Sequence, residues 1–531
     1  MLRGSWLAMF AGVSLAFACA GPESPASSAG EGSESGTTGD GDGDASGDGD
    51  GDGSGDGDGD GDGEAPPETV TVAHQFETIT LDPFEERLPC ISWTIDNEQA
   101  LYVQAVTLAN TGGFHHSNGF VVPEDLYAGP DGVWDCAERG FNTVEAATKG
   151  SVLFAQSTQS YVEEQRFNPA AVIKIPPKYR VVAELHMLNL SPTELDTALR
   201  ISLDLIHPRD VETLLAPFAM QYTDLAIPPQ GESRFRAECD DFLATVNPND
   251  SPFRLHWALP HYHYLGNYFG IEVIGGSLDG TVVHEINGFD AAPVGKRFDP
   301  PLDLADADGL RLTCGYDNWT DQLIGWGNGD QEMCILFGFT DFPLVTQATA
   351  TSGAAIGEED GIPTFEGSCF SLVSPKPDGF GPPTQAEKDG ALYLPPIDPD
   401  DQGLPPVPPC EDTPVDAVAS LEPTYANVVA NLFVPACGFS SCHGSGGGAG
   451  GLNLEGGAQD LLDHVPLANT DLPLVEPGDP EGSWLYQRIS QCEPQDKAGN
   501  PVAHMPLNAP FLLDPGVIAT VRDWIAAGAP G

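Results

Sequence analysis

The residues best placed to do chemistry are histidines, and their spacing is the first clue. His261-Tyr262-His263 lies in LHWALPHYHYLGN (255–267). On a β-strand, residues i and i+2 share a face, and neutral imidazole is the commonest metal ligand. Three more histidines have ligand-like settings: His115 and His116, adjacent in GGFHHSNG (112–119), and His186, inside the apolar VVAELHMLNLSP (181–192). Adjacent residues on a regular strand diverge, so His115 and His116 converge only at a bulge or a strand end. Three imidazoles from two strands suit copper or zinc. Met333, in GNGDQEMCILFGF (327–339), would add a thioether to His261 and His263, a soft N₂S set that favours copper, particularly Cu(I). Taken singly, each of these residues is also ordinary packing: a half-exposed strand pair, a core histidine, a methionine beside a cysteine.

These ligands must be held by β-structure. Around the first set, Thr69–Ala73, Leu101–Leu108, Ala171–Ile175 and Leu199–Leu205 are short, alternating and β-branched, separated by Pro, Gly and Asn. That is the pattern of an antiparallel sandwich or barrel, assigned to 67–215. A second β-region, 216–375, contains IPPQGESRFRAEC ending at Cys239, RLTCGYDN with Cys314, and the strand after Met333-Cys334.

The remainder of the chain speaks of export. Arg3 and the apolar Trp6–Phe17 form a signal too short to span a bilayer, and Ala16-Phe17-Ala18-Cys19 is lipobox-like, with Ala16 where Leu is usual. The expected signal peptide is 1–19, with Cys19 lipidated. Ala20 in place of Asp directs such a lipoprotein to the outer membrane of a Gram-negative cell, facing the periplasm or the outside. Residues 20–66, alternating Gly-Asp from Gly39 to Gly63, bury nothing and repel themselves, so they form a disordered acidic tether. The Asp spacing fits neither an EF-hand loop nor a calcium nonapeptide repeat. A net charge of −58 makes nucleic acid and anionic lipid surfaces poor partners. Eleven cysteines in an exported chain should mostly be paired or bound.

In register across 67–375, the His-His of GGFHHSNG, the LHMLNLSP strand, the H-x-H-x-L-G of HYHYLGN and the Glu-Met-Cys after a Gly-rich turn resemble the copper type II, ascorbate-dependent monooxygenases. These are the peptidylglycine α-hydroxylating and dopamine β-hydroxylating enzymes. The resemblance implies a mainly β chain with two tandem nine-stranded jelly-roll sandwiches, one copper in each, apart across a solvent-filled cleft. His115, His116 and His186 would hold an electron-transfer copper. His261, His263 and Met333 would hold the copper that binds O₂ and takes hydrogen from an activated C–H. It also implies the disulfides Cys90–Cys136, Cys239–Cys369 and Cys314–Cys334. Partners would be O₂, a small-molecule substrate and a reductant such as ascorbate. The peptide-hydroxylating branch clamps a substrate carboxylate with an Arg and a Tyr where this chain has Leu259 and Phe337. Neither pairs with a carboxylate, so a more apolar site with a different substrate is expected.

A Pro- and Asp-rich stretch, 376–409, reads as a semi-rigid spacer. Residues 410–531 change pattern: helical periodicity over Leu421–Phe433 ending at Val434-Pro435, then ACGFSSCHG (436–444), VEPGDPEGSWLYQRI (475–489), HMPLN (504–508) and a helix over Asp514–Ala527 closed by Gly528. These motifs resemble small α-helical, c-type cytochrome-like domains of exported bacterial proteins. The resemblance implies haem c on Cys437 and Cys442, with His443 and Met505 as axial ligands, although C-x4-C-H is longer than the usual C-x-x-C-H. Cys410, Cys437, Cys442 and Cys492 can instead form two disulfides in a haemless domain, or Cys410–Cys492 can pair and leave the other two for haem. His74, His207, His256, His284, His464 and His504 are expected as surface or core residues, with His504 a fallback haem ligand. The leading expectation is a two-copper monooxygenase fed by the haem domain. The alternative is a non-catalytic copper-binding or adhesive surface lipoprotein.

Overall fold

The structure is a computed structural model. It describes residues 68–531 except 157–160, 192, 248–250, 264, 288–294, 319–321, 328–330, 397–400, 402, 405–409, 411, 413–414, 416–417, 438–442, 444–451, 453, 455–456, 467–469 and 507–511, and it leaves out the side chains of residues 115, 116 and 156. The expected signal, Cys19, the tether and Cys442 lie outside the described residues. Among the described residues no helix is long and apolar enough to cross a membrane.

The chain is mainly β. In the first unit two six-stranded sheets pack face to face. One runs Thr69–Gln75, Leu199–Ile206, Leu101–Asn110, Ala171–Ile175, Thr213–Leu214, with Val162–Arg166 also on Leu101–Asn110. The other runs Gly132–Asp135, Pro89–Thr94, Tyr179–Leu188, Phe114–Pro123, Ser151–Gln156, with Glu86–Arg87 on the end of Tyr179–Leu188. Alternation sends Val181, Ala183 and Leu185 inward to meet Ile201, Leu203 and Leu205 in one core. Val182, Glu184 and His186 therefore face outward.

The second unit is built on one eleven-stranded sheet that folds over its own core. The cause is one 14-residue strand, Ile362–Pro375. Its first half pairs parallel with Gly231–Cys239, and its second half pairs antiparallel with Leu344–Ala350. Among the described residues the strands thus divide into sheets of six, six and eleven, with two further two-stranded sheets. Cys239–Cys369 lies where the long strand changes partner, and Cys314–Cys334 staples the two halves of the folded sheet. Cys90–Cys136 and Cys410–Cys492 are also bonded.

The stretch read as a spacer lies, where described, against the first unit. Phe380 is buried in that unit's core, edge-on to Tyr179 at 5.7 Å. Arg200 grips Asp401 through two bonds of 2.8 and 2.9 Å. Tyr102 donates to Glu387, and Lys174 to the Gly381 carbonyl. This is a strap, and Phe380 makes it one, because an aromatic ring finds more apolar cover on the sandwich than in solvent.

The third unit packs short helices around Trp524, Leu432 and Phe433. The expected first helix starts at Tyr425 and continues as a π-helix, Val429–Cys437, through Pro435. It does not stop before Pro435, since a widened turn accommodates a residue with no N–H to donate. The last helix, Pro515–Ala526, is capped by Asp514, whose carboxylate accepts from Gly516 and Val517, and Gly528 follows at φ 94°.

Candidate metal centres

The strand Phe114–Pro123 pairs with Tyr179–Leu188 in register from Tyr179–Pro123 to His186–His116, and then Met187 pairs with Phe114. His115 is the extra residue of a β-bulge, the irregularity that two adjacent ligands require. His116 sits directly across from His186. His186 Nε2 donates to Glu86 Oε1 at 2.7 Å, and this bond holds the Glu86 carboxyl below its ordinary range. A metal-bound histidine commonly donates its second ring N–H to a carboxylate, which sets the tautomer, and the His186–Glu86 pair has that form. Glu86 was invisible in sequence, being 100 residues from His186 in a two-residue strand.

The second set forms differently from the same-face argument. The strand Arg254–His261 ends at His261, so His263 lies beyond it. The two rings still meet, with centroids 5.2 Å apart and planes at 84°. His263 Nδ1 donates to the Gln331 carbonyl at 2.7 Å, leaving Nε2 as its available donor atom. Burial, and then the neighbouring His263, push His261 down to about 3, and burial lowers His263 as well. Both rings are therefore neutral, which is the ligating form.

Met333 arrives beside them through Glu332. This side chain is fully buried, and its Oε2 accepts from the backbone N–H of both His263 (2.8 Å) and Met333 (3.3 Å). Its Oε1 accepts from Leu265 at 2.8 Å. One carboxylate thus hangs the two ligand segments together. Burial raises its pKa to about 8 against the lowering effect of those three N–H donors. Tyr316 donates to the Met333 carbonyl at 2.6 Å, and Cys334 is tied to Cys314. The signal for Glu332 was present in Glu-Met-Cys, but only Met and Cys carried obvious chemistry.

Leu259 and Phe337 do not line an open substrate site. They are cross-strand partners, each 2% exposed. They belong to one buried cluster with Trp257, Phe339 and, from the first unit, Phe167 and Val182. Phe167 meets Phe339 edge-on at 5.1 Å. Leu259 and Phe337 serve the joint between the two units. Val182 is four residues before His186 on its face, and Leu259 two before His261, so both ligand faces run into the same apolar floor. A small, open cleft, with Phe337 in its wall, lies between Ala147, Thr148 and Val152 of the first unit and Phe218 and Thr346 of the second.

Among the described residues no three His, Cys, Asp or Glu side chains form a metal-holding group; a thioether and the rings of His115 and His116 fall outside that statement. The donor types fit copper at both places: tautomers are set by acceptors at His186 and His263, and neutral rings stand beside a thioether-bearing segment.

In the third unit His443 Nδ1 donates to the Leu452 carbonyl at 3.1 Å. Cys437 and Met505 both pack on the unit's core. With Cys410 bonded to Cys492, any chemistry of the motif's cysteines belongs to Cys437 and Cys442. Burial, then nearby His443, lowers His464; burial lowers His504. Of the remaining histidines, His74 stacks on Trp93 at 5.2 Å, and His207 caps the turn Pro208–Asp210.

No protein-family model and no curated protein matches the chain. Among solved structures it is similar to the major capsid protein P2 of bacteriophage PM2, at 8% identity over 51% of this chain and 97% of that one, with a TM-score of 0.25. It is also similar to the PBSX exported protein XepA, at 8% identity over 51% and 86% of the two chains, with a TM-score of 0.14. Scores this low carry no argument about function.

Proposed function

We propose that this chain is an exported two-copper monooxygenase built on tandem jelly-roll-type sandwiches, hydroxylating an activated C–H of a small substrate. The observation that carries the reading is the buried Glu332, which joins the backbones of His263 and Met333 beside the His261 ring. Copper bound at His261, His263 and Met333 would supply one-electron chemistry with O₂, and copper at His115, His116 and His186 the second electron. The balance is R–H + O₂ + 2 e⁻ + 2 H⁺ → R–OH + H₂O, with electrons from ascorbate or from the third unit.

The protein's part is positioning. The Gln331 carbonyl holds the His263 ring with Nε2 outward, and burial keeps both rings unprotonated. Glu332 and the Cys314–Cys334 bond prevent the Met333 segment from drifting. Glu86 does for His186 what Gln331 does for His263. The third unit fits haem c in its donor types, with His443 and Met505 as axial candidates and Cys437 and Cys442 for attachment. The sequence signals place the mature protein as a lipoprotein of the outer membrane.

Copper analysis of exported protein should return two atoms per chain, and Met333→Ala should abolish ascorbate-dependent O₂ uptake. One copper or none, or full uptake by the variant, sinks the reading. A second reading, copper capture or adhesion without catalysis, is favoured by the burial of Leu259 and Phe337, which leaves no clamp for a substrate. It predicts two coppers and no O₂ uptake. Expression with a cytochrome c maturation system should give a pyridine haemochrome band; without one, the third unit is a disulfide-stapled module.

A further inference from the structure

Phe84 is an aromatic residue with φ +57°, in the left-handed region that bulky side chains rarely adopt. Such strain persists only where surroundings impose it. The surroundings are specific. The turn around Phe84 is tied to the end of the Tyr179–Leu188 strand. Phe84 N–H donates to the Ser191 carbonyl, Asn189 N–H to the Glu85 carbonyl, and the Asn189 side chain to the Asp82 carbonyl. Asp82 N–H donates to the Glu85 carboxylate. The ring itself packs against the core of the third unit. Two residues later, Glu86 pairs in the sheet and its carboxylate accepts from His186 Nε2.

We propose that Phe84–Glu86 is the joint through which the third unit positions the His115, His116 and His186 centre. Seating of Phe84 holds the turn, the turn holds Glu86, and Glu86 holds the His186 ring through Nε2. Glu86 is a positioning residue, and the third unit is a structural part of a metal centre that lies in another unit. The inference rests on the copper reading for its metal-dependent consequence, but the mechanical joint does not.

The test uses full-length protein. In the metal-free state, hydrogen exchange is followed by mass spectrometry in peptides covering 82–88 and 186–191. Phe84→Ala should speed exchange there at least fivefold while the remainder of the first unit matches wild type, and Phe84→Leu should restore it. In a His263→Ala background, one equivalent of Cu(II) is then added. Glu86→Gln and Phe84→Ala should shift the Cu(II) electron paramagnetic resonance hyperfine splitting in the same direction and each weaken Cu(II) in chelator competition by about 10-fold, the size expected for a lost outer-shell partner. Wild-type exchange in Phe84→Ala overturns the joint, and so does a spectrum altered by Glu86→Gln but not by Phe84→Ala. If the parent chain binds no Cu(II), the copper reading has failed and the exchange result alone decides the joint.

Discussion

At the scale of single residues, most of the chemistry is decided by second partners. His186 and His263 each give one ring nitrogen to an oxygen acceptor, Glu86 and the Gln331 carbonyl, which fixes the ring of each. Leu259 shows the opposite lesson. By the resemblance its place would be that of a substrate-clamping Arg, yet its side chain is 2% exposed between the two β-units. Leu259→Arg, which introduces a cation there, should therefore create no carboxylate site. It should bury an unpaired charge and lower stability by roughly 3–5 kcal/mol, read from the shift in a urea-unfolding curve.

At the scale of elements, the bulge at His115 is the device that brings two adjacent histidines to one end of the first ligand strand. Register on either side of it is regular, Met187 with Phe114 and His186 with His116. Deleting His115 removes one residue without changing which face its neighbours occupy, because the pairing on both sides already matches a strand without it. The variant should keep its sheet and a melting temperature within a few degrees of wild type, and under the proposed two-copper reading its copper should fall from two to one per chain. Loss of both coppers would mean that the two ligand sets do not fold independently. The need for a bulge was legible from two adjacent histidines; its site was set by the strand across from them.

At the scale of the whole molecule, the two β-units are clamped through Asn168. Its Nδ2 donates to the Phe298 carbonyl at 2.9 Å, and its Oδ1 accepts from His256 Nδ1 at 3.1 Å. His256 occupies a register irregularity in its strand, is 3% exposed, and has no partner at Nε2 among the described residues. Burial pushes it down to about 4; Asp341 opposes this and Arg254 reinforces it. The unfolded chain binds the proton from about pH 6.5 downward and the folded one only near 4. Stability is thus fully present above pH 6.5 and lost as pH falls toward 4. Between pH 7.5 and 4.5 this group should cost the wild type roughly 2–3 kcal/mol, and His256→Gln should remove that share of the acid sensitivity in urea unfolding.

The amino-acid sequence by itself offered the candidate residues and the β-pattern around them. Residue type and strand periodicity are local properties, readable at His115, His116, His186, His261 and Met333 without knowing what lies across from them. What only the tertiary structure decided are the partners: Glu86 on His186 at a separation of 100 residues, Glu332 on His263 at 69, Phe84 on the third unit, and the burial of Leu259 and Phe337. Those depend on sheet register and on how the units dock. A one-residue shift in pairing reverses a strand's faces, so no local pattern could specify them.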